Sequence, residues 1–167
     1  MDAEFSLLHL AVLGHGLKLP NGMVIDEVEI QADRLAIVDQ KPKFETPATT
    51  IVRISPESLQ TFIASQLPAM VRDPQVRFHD GKILVSASVK VLVEISATAT
   101  LSLVIQDQKK LLVELIDVDK PGPVRGILEN QLDAVNPVFD AKDLPLDLKL
   151  ERVAIGKNIE IFATATA

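Results

Sequence analysis

KILVSASVKVLVEISATATLSLVIQ, residues 82–106, is the stretch on which the fold turns. Ile83, Val85, Ala87, Val89, Val91, Val93, Ile95, Ala97, Ala99, Leu101, Leu103 and Ile105 fall on one side of an extended chain. Ser86, Ser88, Lys90, Glu94, Ser96, Thr98, Thr100 and Ser102 fall on the other, and only Leu84, Leu92 and Val104 break the alternation. Period two is the mark of strand with one face buried, and no Gly, Pro, Asn or Asp interrupts it. A flat strand of that length would run about 70 Å. The chain therefore bends or bulges between Lys90 and Glu94, or the strand is long and strongly curved.

Outward from this stretch, the elements are strands around two helices. Ser55-Pro56-Glu57 supplies a capping hydroxyl, a proline for the first helical turn and an acid at its positive end. Leu59, Phe62, Ile63, Gln66, Leu67 and Met70 follow at helical spacing, so a helix covers 56–67 or slightly beyond and is ended or kinked at Pro68. Pro121-Gly122-Pro123 opens a second amphipathic helix, Pro123–Val135, that ends near Asn136-Pro137. Residues 5–13 read as either a short helix or a strand, ended by Gly14-His15-Gly16. Pro20-Asn21-Gly22 is a turn. Val24–Ile30, Leu35–Val38, Thr49–Ile54 and Leu111–Ile116 read as strands, and 39–48 as a loop. Val76-x-Phe78 before Ile83-x-Val85-x-Ala87 resembles Val153-x-Ile155 before Ile159-x-Ile161-x-Ala163. Val28-x-Ile30 before Leu35-x-Ile37 is a looser third copy. These are repeated hairpins without the fixed period of a solenoid. They predict an α+β domain: a long, highly curved antiparallel β-sheet wrapped around two amphipathic helices on its concave side.

The 167 residues suit one domain, with residues 1–23 as an N-terminal extension to a 24–167 module. The six phenylalanines are the only aromatics, so the apolar content is aliphatic and largely β-branched, which favours strands. A net charge of −6 without clustered Lys or Arg argues against nucleic acid, and the absence of Trp and Tyr removes the usual base-stacking platforms. With no cysteine, disulfides and thiolate metal sites are excluded. The apolar run 5–13 is about half the roughly 20 residues a spanning helix needs. Asp2 and Glu4 stand where a signal peptide has basic residues, so the chain reads as soluble and cytosolic. A chain trimmed of an export signal, and so working in the envelope or periplasm, would read the same.

No catalytic constellation is visible. His9, His15 and His79 are not spaced for a metal-binding helix. His79-Asp80-Gly81-Lys82 is a turn, and Asp117 and Asp119 are a solvated strand exit before Pro121-Gly122 rather than an acid–base pair. The chain has no Gly-rich phosphate loop and no Gly-x-Ser-x-Gly elbow. It reads as non-enzymatic, with no cofactor and no metal.

The apolar face of the long alternation needs cover. The two helices can pack on it closely, or stand off and leave an apolar tunnel. Ala87, Ala97 and Ala99 lower the volume filling that face, which favours room for a ligand or close approach of a helix. The expected lining is Leu59, Phe62, Ile63, Val85, Val89, Val91, Val93, Ile95, Leu101 and Leu103. The partner is then a lipid or other apolar small molecule, with transient membrane contact. The alternative is a structural or interaction module with a packed core, which self-associates as a homodimer.

From Ile51 onward the chain resembles the bacterial LmeA-like domain family. The likeness rests on Ile54-Ser55-Pro56-Glu57-Ser58-Leu59, on Phe78-His79-Asp80-Gly81-Lys82-Ile83 and the long alternation, on Pro121-Gly122-Pro123 and the Asn136-Pro137 break, and on Leu148-x-Leu150-x-x-Val153. The strand at Val24–Val38 fits as well. These are patterns of turn and periodicity, not catalytic signatures. The resemblance implies a single-module relative of the tubular lipid-binding proteins, phospholipid binding, and in some members a role in envelope lipid or lipoglycan maturation.

Overall fold

The computed structural model describes residues 5–44, 46–90, 92–120, 122–144 and 146–166. The expected α+β character and antiparallel pairing are both present: every strand pairing among these residues is antiparallel. The strands form two sheets, however, where one had been expected. The first contains β1 (Phe5–Lys18), β2 (Val24–Val38), β4 (Ala48–Ile54), β11 (Ile159–Thr166) and β10 (Asp147–Ile155) in that order, with β3 (Lys41–Phe44) also paired to β2. The second is a meander of β5 (Val71–His79), β6 (Lys82–Lys90), β7 (Glu94–Gln106) and β8 (Lys110–Val118), finished by the short β9 (Phe139–Asp140).

The helices are where the chain changes sheet. α1 (Pro56–Gln66) carries it from β4 to β5, and α2 (Pro123–Val135) follows β8 on the way back to β10. A helix between two strands prevents a hairpin from joining them, so the 71–118 meander closes as a unit of its own. One apolar core joins Val52, Ile54, Ile159 and Leu148 of the first sheet to Ile83, Leu101, Leu111 and Val113 of the second, with Leu59, Phe62 and Ile63 of α1 among them. The sheets are also stitched at the β7–β8 turn. Leu150 N–H donates to the Gln108 carbonyl at 2.7 Å, and Lys109 Nζ to the Leu148 carbonyl at 2.6 Å.

The 82–106 alternation is two strands, not one. β6 and β7 are joined at 91–93, and Lys90 pairs with Glu94. Pairing across a three-residue connection matches odd positions with odd, Val89 with Ile95 and Ala87 with Ala97, so the apolar row continues unbroken through the turn. Periodicity alone is therefore blind to the hairpin, although its position is the one expected for a bend. The Asp80-Gly81 turn between β5 and β6 has both residues at positive φ, 49° and 72°, the type I′ geometry that Asp-Gly favours.

Three local expectations are corrected, and one open alternative is decided. Residues 5–13, read as either a short helix or a strand, are strand within β1, which pairs with β2. Gly14-His15-Gly16 does not end that strand, because Gly16 holds φ 65° within an unbroken register. β2 is a single strand: Gln31 and Ala32 keep pairing with β1 and no turn residue breaks the run, so the looser third hairpin does not form. β3 occupies part of the expected 39–48 loop; Pro42 is tolerated because β3 pairs only with β2.

α1 is fixed at its start by two layers of capping. Ser55 Oγ accepts from Ser58 N–H at 3.1 Å, and Asp26 on β2 accepts from Ser55 N–H at 2.6 Å and from Ser58 Oγ–H at 3.0 Å. Hydrogen bonds to a charged group contribute about 1.5–3 kcal/mol. Asp26→Ala is expected to lower unfolding stability by about 2 kcal/mol in urea denaturation, by loosening α1 from β2. The Asp147 carboxyl is held below its ordinary value, first by the hydrogen bond from Lys109, at 2.6 Å, and then by the Thr166 hydroxyl. Because the folded-state value is depressed, the pair stabilises the fold above the ordinary carboxylate range and loses that contribution as pH falls through the depressed value. Asp147→Asn should therefore destabilise the protein at neutral pH and match the parent in strong acid, checked by thermal melts across pH.

Candidate functional site

An apolar cavity of about 40 Å³ lies between the inner face of the second sheet and the two helices. Ile63 of α1, Leu67 just past its end, and Leu128, Leu132 and Val135 of α2 roof it, and Val85, Ala87, Val89, Ala97, Ala99 and Leu101 form its floor. Gln131 is the one polar residue in that lining. The cavity follows from how α2 is seated. Val124 near its start and Val135 at its end are buried, whereas Leu128 and Leu132 between them are only partly covered. The helix thus rests on its two ends.

Near its N-terminus α2 joins a small cluster of Val89, Ala97 and Val124, separate from the main core. The cavity is the seam between these two packed regions, since Val89 and Ala97 line it from one side and Ile63 and Leu101 from the other. Three alanines account for the gap: a β-strand row of Ala87, Ala97 and Ala99 cannot reach a helix that larger residues hold at normal spacing.

Four of the ten residues expected to line a tunnel do line this cavity: Ile63, Val85, Val89 and Leu101. Leu59 and Phe62 are spent in the main core, where they are 0% and 3% exposed. Leu103 packs against the main core and Ile95 against the cluster under α2. Val93 sits at the end of the β6–β7 hairpin and is 66% exposed, because the turn carries it off the sheet face. Val91 lies outside the described residues. The helical residues in the expected lining all come from α1, whereas α2 contributes Leu128, Gln131, Leu132 and Val135. Its signal was present as the apolar spacing of Leu128, Leu132 and Val135, but spacing does not say which helix covers which strand.

A second, more open recess of about 320 Å³ lies on the first sheet, between Gly14–Lys18 of β1, Val28 and Ile30 of β2, Thr50 of β4, and Leu144, Leu146 and Leu148. Thr50 is fully buried, and its hydroxyl has no hydrogen-bond partner among the described residues. On the outer face of that sheet, Arg53 bridges three strands. It donates to Glu27 at 2.6 Å, Glu29 at 3.0 Å and Glu160 at 3.2 Å. The Glu29 hydrogen bond, followed by those of Glu27 and Glu160, raises the guanidinium above its ordinary value against the opposing effect of burial. This network compensates charge on a surface away from either recess.

Two of the residues weighed for chemistry, His79 and Asp119, make local contacts. His79 Nε2 lies 3.1 Å from Asp80, both well exposed at the type I′ turn. Asp119 accepts from Thr98 N–H at 2.8 Å and returns its own N–H to the Thr98 carbonyl at 3.1 Å, which extends the β7–β8 ladder past its end. Asn136 does the same for β8. Its amide accepts from Val113 N–H at 2.8 Å and donates to the Val113 carbonyl at 2.9 Å, anchoring the end of α2. Among the described residues no group of three or more His, Asp or Glu is arranged to hold a metal, and no helix is long and apolar enough to cross a membrane.

Two antiparallel sheets and two bridging helices, with an apolar cavity between the helices and the second sheet, define an α+β domain with an apolar interior. The particular family is settled by comparison: a family model for LmeA-like phospholipid-binding domains matches residues 6–159, and the chain belongs to that family. No curated protein and no solved structure matches the chain.

The orphan hydroxyl gives a direct test of the packing described. An unsatisfied buried polar group costs about 1–3 kcal/mol. Thr50→Val is therefore expected to raise unfolding stability by about 1 kcal/mol, read from the urea midpoint at unchanged slope.

Proposed function

We propose that this chain is a non-enzymatic carrier that takes the acyl portion of a phospholipid between α2, α1 and the β5–β8 sheet. The observation that carries the reading is the apolar seam under α2, lined by three alanines, in a chain of a phospholipid-binding family. The finer relationship, to tubular lipid-binding modules in which a curved antiparallel sheet embraces a helix, is part of the same proposal.

A cavity of about 40 Å³ holds only about three waters, since one water needs roughly 10–15 Å³. An acyl chain therefore enters by parting α2 from the sheet, as the half-covered Leu128 and Leu132 allow. Each methylene transferred from water contributes roughly 0.8 kcal/mol, so about twelve supply roughly 10 kcal/mol against the cost of that displacement and of ordering the ligand. With no charged residue in the lining, recognition is by shape and is loosely selective for headgroup.

One observation favours a second reading, self-association. β1 is an edge strand, and it exposes Val12, Leu13 and Leu17 at 44%, 54% and 40%. An edge with apolar side chains is a template for pairing with a second copy. A mass that rises with concentration in light scattering, without lipid uptake, supports that reading over the carrier.

Filling the seam separates a working cavity from a packing gap. Ala99→Leu places a larger side chain in the floor, at a packing cost of about 1–3 kcal/mol. It should cut uptake of a fluorescent phospholipid at least tenfold, with the circular dichroism spectrum unchanged. Val104→Ser, on the opposite face, should leave uptake at the parental level. Equal uptake by parent and Ala99→Leu contradicts the proposed site.

A further inference from the structure

Between β6 and β7 stand Leu92 and Val93, apolar residues where a connection normally carries Gly, Asn or Asp. Leu92 is 94% exposed and Val93 66%. Beside them Met70 is 42% exposed, held at the base of the hairpin by the hydrogen bond from Lys90 N–H to its carbonyl at 2.8 Å. Among the described residues, the other exposed large hydrophobics lie within strands, whereas these three gather at one end of the second sheet.

That end is also where the seam begins. Val89 and Val71 are paired across β6 and β5, and both line the cavity. Met70 is the chain neighbour of Val71, and Leu92 lies three positions beyond Val89, so the exposed residues sit close in sequence to cavity-lining ones. Resting on the present reading of that cavity as a lipid site, we propose that the hairpin tip is a membrane-docking wedge: Leu92, Val93 and Met70 enter the acyl region of a phospholipid bilayer and bring the Val71–Val89 end of the seam to the surface.

A bilayer suits this tip better than a second copy does. Three side chains bury far less than the roughly 1,200 Å² of a stable protein–protein interface. A protruding tip also needs a concave acceptor on a protein, but none on a fluid lipid surface. Lys90 and Glu94 flank the tip as a cross-strand pair of opposite charge, and the chain carries −6 overall. Docking is therefore driven by apolar insertion and does not require anionic lipid, unlike a polybasic patch.

The test uses Leu92→Asp with Val93→Asp in the full chain. Both positions are exposed, so the fold is retained, as circular dichroism and the thermal melt will verify. The first measurement is co-sedimentation with phosphatidylcholine vesicles. The parent should bind equally at low and high salt, and the double variant should lose about tenfold or more for each apolar side chain removed. The second is uptake of a monomeric short-chain phosphatidylcholine without vesicles, which the double variant should retain. Vesicle binding by the variant equal to that of the parent overturns the wedge, as does a parent that ignores these vesicles. So does binding abolished by salt, or a loss of self-association on substitution. Vesicle binding through the tip without short-chain uptake by the parent upholds the wedge while removing the carrier reading, so the two fail separately.

Discussion

The structure depends on the parity of one β-hairpin. Because Lys90 opposes Glu94 across a three-residue connection, every odd-numbered residue from Ile83 to Ile105 faces the same way, apart from the turn itself. Shifting the register by one residue would turn Val85, Val89, Ala97 and Leu101 to solvent and bring Ser86, Ser88, Ser96 and Ser102 inward. A face of that length cannot stay wet, so it demands a cover, and α1 and α2 supply it. Where the row is large the helices are held, and where it falls to Ala87, Ala97 and Ala99 they bridge a gap. The cavity is thus written into side-chain volume along a strand pair, not into a specialised loop.

The helices serve connectivity as well as cover. Each lies at a passage between the sheets, and each is tied to a strand by side chains that imitate backbone. Asp26 holds the first turn of α1 against β2, and Asn136 holds the end of α2 against β8. The two ties differ in consequence. α1 buries Leu59, Phe62 and Ile63 in the main core, whereas α2 is buried chiefly at Val124 and Val135. If either helix is to move for a ligand, α2 is the one with less apolar contact to lose.

Much of this could be read from the residues. Both helices, the α2 boundaries, the antiparallel pairing, the bend between Lys90 and Glu94 and the β5–β6 and β10–β11 hairpins all follow from local chemistry: caps, prolines, Asp-Gly turns and period two. What could not be read depends on non-local choices. Alternation does not register a turn that preserves parity, so one strand was indistinguishable from two. Nothing in residues 5–18 signals that their partner is β2, since partnership is set by the opposing strand. The site was legible on the sheet side, in Val85, Val89 and Leu101, and in the alanines that proved to border the gap. On the helix side it was misassigned, because an amphipathic stripe reports that a helix is covered but not by what.

The central proposal is that the space between α2 and the β5–β8 sheet takes an acyl chain and is more than a packing gap. A packing gap of this size would stay dry and unoccupied, whereas a carrier retains what it has bound. Native mass spectrometry of the purified protein, with organic extraction and lipid identification, distinguishes the two most directly. The account predicts a population heavier than the bare chain by the mass of one phospholipid, which disappears on extraction. A single species at the mass of the polypeptide, unchanged after incubation with phospholipid, would contradict it.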